Sequence, residues 1–257
     1  MAASRGRRVG IALIVVLVVL GGLLVAADRI AAFAAERTIA DQAKKELTAR
    51  DITSPTQPSV AVGGFPFLTQ VARGKYDKIT IHVDHPSGQG VTLDALDVTA
   101  TGVNASTGAL VNGTGKITAD NVTGTTSLGW DGVNKLMNTS GFGGGGATAS
   151  ALPDGQVQVK VPVSVAGVST TIVATGNLTV GQGAVHLKIN QVSTEGGDLP
   201  AVISRLVGSI KQSLSVDIKI PQLPYNLQVR DVKASARGLA VTAVAANVPI
   251  SGGKSGS

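Results

Sequence analysis

No cysteine occurs in the 257 residues, which excludes a disulfide framework, a thiol nucleophile and a cysteine-ligated zinc. Aromatic residues make up 3% of the chain and charged residues only 15%, against about 25% charged in an average soluble domain. With 43% hydrophobic residues, the chain is not a charge-driven disordered protein. A strong charge of one sign is also missing from the body of the chain. Three of the 22 basic residues, Arg5, Arg7 and Arg8, stand ahead of the first acid, Asp28; the remaining 19 face 16 acids, an excess of +3 over residues 28–257. That excess is too small to argue for a nucleic-acid partner.

Catalytic signatures are as thin. Gly141–Gly146 fits G-x-G-x-x-G, but any glycine run does, and neither a preceding strand nor the acidic residue of a βαβ unit accompanies it. Ser251-Gly252-Gly253-Lys254 satisfies S-x-x-K inside a polar tail with no scaffold to orient it. His82, Asp84 and His85 form the densest histidine cluster; on a strand His82 and Asp84 share a face and His85 points away, so this segment alone cannot supply three metal ligands. No catalytic residue, metal site or cofactor is expected.

What is present begins with Val9–Ala27, a run without a charge whose 19 residues would span roughly 28 Å as a helix, close to the hydrocarbon thickness of a bilayer. The three arginines before it favour a cytoplasmic N-terminus with the rest exported. Two readings stay open. Val25-Ala26-Ala27 suits a cleaved signal peptide, while the length of the run suits a retained anchor. The expected organisation is an anchor or signal peptide over 1–27, one working domain over 28–250 and a disordered tail over 251–257. The localisation expected is the inner membrane, with the domain on the extracytoplasmic side, or secretion after cleavage.

Asp28–Arg50 lacks Pro and Gly and reads as a helix whose apolar stripe is Ile30, Phe33, Ala40, Ala43 and Leu47, stopped by Thr53-Ser54-Pro55. From Pro58 the period changes to two: Val60 and Val62; Ile79, Ile81 and Val83; Val157 to Val165; Ile172 and Ala174; Leu178 and Val180; Val185, Leu187 and Ile189; Leu227 and Val229; Leu239, Val241 and Ala243. Alternation of this kind means strands with one buried face. Turn signals at Ser87-Gly88, Asn112-Gly113, Asp154-Gly155, Thr175-Gly176 and Gly181-Gln182-Gly183 favour antiparallel pairing. Further helices are expected over Ser127–Asn138 and Asp198–Leu214, the second with Asp198 as cap, Pro200 in the first turn and a regular apolar face. The fold class is α+β: a strongly twisted antiparallel sheet rolled along long amphipathic helices.

Helix stripes and inward strand positions of small aliphatic residues can leave a slot along the roll, or simply close a dry core. A slot would suit acyl chains, since each buried methylene contributes about 0.8 kcal/mol and asks for no polar partner. The block Gly64-Phe65-Pro66-Phe67-Leu68-Thr69-Gln70, followed by Gly74-Lys75-Tyr76-Asp77-Lys78-Ile79-Thr80-Ile81, has the order G-F-P-F-L-x-Q … G-x-Y-D-x-I-x-I. Its glycines allow a sharp turn, Pro66 forbids central strand pairing, and Phe65, Phe67 and Leu68 are left as a compact apolar group. They would plug one end of the roll, line a portal or touch the bilayer.

With Leu93–Val98, Asn134-Lys135-Leu136, Leu223-Pro224, Val229, Val232, Gly238-Leu239 and the anchor, this order resembles the actinobacterial LmeA-like family of phospholipid-binding envelope proteins over roughly residues 30–250. The resemblance implies one half of the tubular fold of bactericidal/permeability-increasing proteins, a sheet rolled about a long helix enclosing lipid tails. It also implies a non-enzymatic binder of phospholipid or phosphatidylinositol-type glycolipid, linked to lipomannan-type synthesis and so to an envelope mannosyltransferase. Phe65 and Phe67 match that block in order. The candidate lipid-lining set is Phe33, Ile39, Phe65, Phe67, Leu68, Trp130, Leu136, Met137, Val202, Ile203, Leu206 and Ile210; Arg73, Lys75 and Lys78 are candidates for a headgroup. The competing class is an interaction protein with a solid core that regulates an envelope glycosyltransferase by contact. A hydrolase would need His82, His85 or His186 beside a nucleophile, and nothing in the sequence places one.

Overall fold

A computed structural model describes residues 3–88, 90–106, 108–109, 115–139, 146–165, 168–181, 184–195, 215–219 and 227–250. Helix α1 runs from Ala3 to Ala49, about 70 Å at 1.5 Å per residue. The apolar run and the charged segment after it are therefore one rod without a joint at Ala27. It ends at Ala49, ahead of the expected Thr53-Ser54-Pro55 stop: the amides of Arg50 and Ile52 return to the Leu47 carbonyl, and Asp51 takes a left-handed φ of 57°.

Beyond it come β1 (Ser59–Gly63), α2 (Phe67–Arg73), β2 (Lys75–Asp84), the short hairpin β3 (Ser87–Gly88) and β4 (Val91–Thr92), β5 (Ala95–Ala105) and β6 (Ile117–Gly129). Then α3 (Trp130–Thr139) leads to β7 (Thr148–Ala151), β8 (Val157–Val165), β9 (Val168–Gly181), β10 (Ala184–Thr194) and β11 (Ser215–Lys219), and the chain closes with β12 (Gln228–Ser235) and β13 (Gly238–Pro249). Every pairing among the described residues is antiparallel. The class is mixed α and β, with twisted antiparallel sheet and an N-terminal apolar helix.

Where one rolled sheet was expected, the long strands divide between two. The first has the order β1-β2-β5-β6-β13-β12 and the second β11-β10-β9-β8-β7. The division follows from chain order: β7 to β11 pair with their sequence neighbours as a meander, while β12 and β13 return to β6. The two sheets meet where β12 packs on β9.

Three further expectations change. Residues 127–129 belong to β6, with Leu128 paired to Leu239, so the helix expected from Ser127 begins at Trp130. Thr175-Gly176 is the middle of β9 and not a turn; a Cβ on Gly176 would come within 2.3 Å of the Lys188 carbonyl oxygen, so the glycine lets two backbones approach beside the bulge in β10. Ser87-Gly88 forms β3 itself. The helix expected over Asp198–Leu214, the turn at Asn112-Gly113, Leu223-Pro224 and the tail 251–257 lie outside the described residues.

Direct partners in an antiparallel ladder share a face, so the registers sort the first sheet into an apolar side and a Thr-rich polar side. The apolar side holds Tyr76, Ile79, Val103, Ala119, Val122 and Val248 in one buried cluster with Phe67 and Ala32. A second cluster joins Ala149, Val157, Val159 and Leu187 to Trp130, Val133 and Met137 of α3 and to Ala234 and Leu239.

Helix α1 lies along β1 with its chain direction reversed. The Asp28 carboxylate accepts the Leu68 amide at 2.8 Å, Glu36 accepts the Val62 amide at 2.9 Å, and Asp41 accepts the Gln57 side-chain amide at 2.7 Å. The buried face keeps Ala40 of the expected stripe but not its large members Ile30 and Phe33. It runs through Asp28, Ala32 and Ala40 with Ala31, Ala35 and Ile39, while Ile30 and Phe33 are 70% and 55% exposed. Alanines let the rod sit close on the sheet; the large residues, at other phases of the helix, face out.

Candidate functional site

The G-F-P-F-L-x-Q block builds the joint between α1 and the first sheet. Gly64 holds φ 93°, and a Cβ there would come within 2.6 Å of the side chains of Asp77 and Gln70, so backbone and space both require glycine. Pro66 begins α2 without a side-chain cap of its own, and Asp28 reaches across from α1 to take the Leu68 amide of the first turn. The buried Gln70 side chain donates to the Gly63 carbonyl at 3.1 Å and accepts the Asp77 amide at 2.9 Å, stapling α2 to both flanking strands. Gly74 ends the helix in the left-handed region at φ 63°.

One turn of α2 sends neighbouring residues to different sides, so the expected compact group separates. Phe67 is buried, its ring 6.2 Å from that of Tyr76, while Phe65 is 62% and Leu68 42% exposed. The guanidinium of Arg29 lies 5.2 Å from the Phe65 ring centre, and that of Arg37 lies 4.3 Å from the ring of Phe33.

The remaining candidate lining residues fall elsewhere. Ile39 packs on the first cluster. Trp130 and Met137 belong to the second, where the indole N–H donates to the Ser235 carbonyl at 2.9 Å, and Leu136 is exposed on the same helix. Val202, Ile203, Leu206 and Ile210 lie outside the described residues. Arg73, Lys75 and Lys78 are exposed at the α2–β2 corner. Close by, an open cleft of about 380 Å³ is lined by the small or polar residues Gly74, Asn104, Ala105, Ser106, Lys116 and Thr118, without the long aliphatic side chains of an acyl-chain tunnel.

Beside the first cluster the apolar side of the first sheet carries a trough whose β5 and β6 members sequence alternation does not mark. One cross-strand row reads Val60, Ile81, Val98, Gly124, Ala243 and Val229. The next reads Val83, Leu96, Thr126, Val241 and Val232. At the centre of the first row a Cβ added to Gly124 would meet no atom of the described residues within 4 Å, so among them the space directly above Gly124 is open. Ile81, Val98, Leu96 and Val241 around it are half-buried, whereas Val83, Ala243 and Val232 in the same rows are 3%, 8% and 8% exposed. The Thr126 hydroxyl donates to the Ala95 carbonyl at 2.8 Å, which leaves its methyl for the trough. Its floor is thus methyl groups and a bare backbone with its ladder bonds made, a surface that asks a ligand for nothing polar.

The opposite side carries the His82 cluster. His82 Nδ1 is 2.7 Å from Asp97 and Nε2 2.9 Å from Asp84, whose other oxygen accepts from Thr56 at 3.0 Å. The Asp97 carboxylate, then that of Asp84, raises the proton affinity of the imidazole above its ordinary value; His82, then Thr56, holds Asp84 below the usual carboxylate range. His85 is exposed with φ 42°, and among the described residues no group of three or more ligating side chains could hold a metal. These hydrogen bonds tie β2 to β5 and to the segment before β1.

The family profile described as LmeA-like phospholipid-binding matches residues 26–244. The chain belongs to that family, as the order of its first block implies. No curated protein and no solved structure matches the chain.

Proposed function

We propose that this member of the LmeA-like phospholipid-binding family is an extracytoplasmic lipid binder that shelters acyl chains on the apolar side of its first sheet. The open space above Gly124, floored by aliphatic side chains, is the observation that carries the reading. Tails enter by partition: ten buried methylenes amount to about 8 kcal/mol before the costs of ordering a flexible chain. No covalent step is involved, which agrees with a family named for binding. Basic residues at the α2–β2 corner, Arg73, Lys75 and Lys78, would meet a phosphate headgroup as point charges.

In this reading α1 tethers the domain to the inner membrane through its one span-length apolar stretch, or is cut after Ala27 to release it. The two sheets with α1 laid along one of them would form the half-tube. A phosphatidylinositol-type ligand and an envelope mannosyltransferase partner in lipomannan-type synthesis complete the proposal. Residues 28–257, purified folded and extracted with organic solvent, should yield phospholipid in near-stoichiometric amount and should take up a fluorescent phospholipid from vesicles. A folded domain that does neither contradicts the proposal.

A second reading, a protein that regulates an envelope glycosyltransferase by contact and holds no lipid, is favoured by Val83, Ala243 and Val232, which are 3%, 8% and 8% exposed in the same two rows, as in a closed core. The same extraction separates the two.

A further inference from the structure

Four exposed apolar side chains ring α1 at about the height where it leaves its apolar run: Ile30 and Phe33 on the helix itself, and Phe65 and Leu68 held at that height by the Asp28–Leu68 hydrogen bond. Large apolar residues exposed together are uncommon on a monomer surface and point to something that covers them. The rod supplies the argument for what that is. Because α1 is unbroken from the uncharged run through Ala49, the positions of these residues along the bilayer normal follow from helix rise. Ile30 lies ~5 Å and Phe33 ~9 Å beyond Ala27, against an interfacial layer of roughly 5–8 Å on each side of the hydrocarbon. Side chains on a helix lean toward its N-terminus, which brings Phe33 back toward the run. The hydrogen bonds from α1 to Leu68, Val62 and Gln57 fix the polarity of the rest: Gly63–Lys75 is the end of the domain nearest the run, and Asp84 and α3 belong to the far end.

We infer that this collar, Ile30, Phe33, Phe65 and Leu68 with Arg29 and Arg37, is seated in the headgroup layer of the membrane that α1 enters, holding the domain down on the bilayer. The inference rests on the tethered form of the reading above. Aromatic rings at a membrane interface with cations on their faces suit a layer that is apolar on one side and anionic on the other. Both exposed rings carry an arginine in that position.

The test uses the full chain carrying Trp130→Phe, so that one introduced tryptophan reports alone. It is reconstituted in vesicles of phosphatidylglycerol and phosphatidylcholine with bromines on the acyl carbons nearest the headgroup. Phe65→Trp should lose about half its emission to the bromines and shift to the blue, with Phe33→Trp as an independent reporter. Leu20→Trp should also be quenched, and Leu136→Trp, on α3 at the far end, should not. If Phe65→Trp and Phe33→Trp stay as bright as Leu136→Trp while Leu20→Trp is quenched, the helix spans the membrane but the collar is off it, and the inference is overturned while the tether survives. If Leu20→Trp is not quenched, the tether fails and the collar with it.

Discussion

The α2 end of the first sheet and its middle are built to opposite plans. At the α2 end, nearest the apolar run, the sheet is closed: Tyr76 and Phe67 are 2% and 5% exposed, and Asp28, Gln70 and Glu36 each satisfy a backbone amide. Toward the middle the same face is lined by smaller residues, with Ile81, Leu96, Val98 and Val241 half-buried and, among the described residues, open space directly over Gly124. The difference teaches where rigidity is placed. Large rings and buried hydrogen bonds fix α1 and α2 to the sheet, while the smaller side chains beyond them fill the adjoining surface less completely.

The sharpest way to break this contrast is to truncate one residue at each end. Phe67→Ala should cost about 3–5 kcal/mol in denaturant unfolding, the range for a buried ring with little room to collapse. Val98→Ala, on the half-buried trough wall, should cost less than half as much, and equal losses would contradict the division.

Filling the trough tests its other side. Gly124→Phe places a ring in open space at a position without a positive φ, so unfolding should change little while lipid uptake falls about ten-fold or more, the equivalent of roughly two excluded methylenes. A variant that binds lipid normally would move the ligand elsewhere.

A smaller effect is expected at α3, where Trp130→Phe keeps the ring and removes the indole donor to Ser235. The loss should be about 1 kcal/mol in the unfolding free energy, with uptake unchanged.

The smallest lies on the polar side of the sheet. The proton affinity of His82 is raised in the folded state, so its contribution is fully present below the ordinary imidazole pKa of about 6.5 and disappears as pH rises through the raised value. His82→Gln should therefore lower stability in mild acid, by less than about 1 kcal/mol for so exposed a pair, and converge on the parent in alkali. A gap that widens with pH would show that the sign is wrong.

Period-two patterning marks β2, β8, β10 and β13 because their inward Val, Ile and Leu alternate with polar residues. It does not mark β5 and β6, the two strands at the centre of the first sheet. There the outward residues are Thr and the inward ones Ala, Gly and Val, so the contrast between faces is faint. The trough is hard to read for the same reason that it exists: small side chains give weak patterns and leave space. On α1 the large apolar residues drew the expected stripe to Ile30 and Phe33, whereas close helix–sheet packing selects Ala32 and Ala40. Asp28 carries no periodic signal at all. Its partner lies 40 residues on, and only the boundary of an uncharged run singles it out. Leu128 fell in step with Val133 and Met137 as a helical face although it closes a strand, since apolar residues on either side of an element boundary can mimic either period.

The central claim is that acyl chains lie on the apolar side of the first sheet, above Gly124. A phospholipid with a diazirine at mid-chain, loaded into the folded protein and photoactivated, reports this directly by peptide mass spectrometry. Cross-links should fall on the strands flanking the trough, at Val98, Val241 and Ala243. Cross-links confined to the Thr-rich side or to the apolar run of α1, on a protein that has taken up lipid, would contradict it.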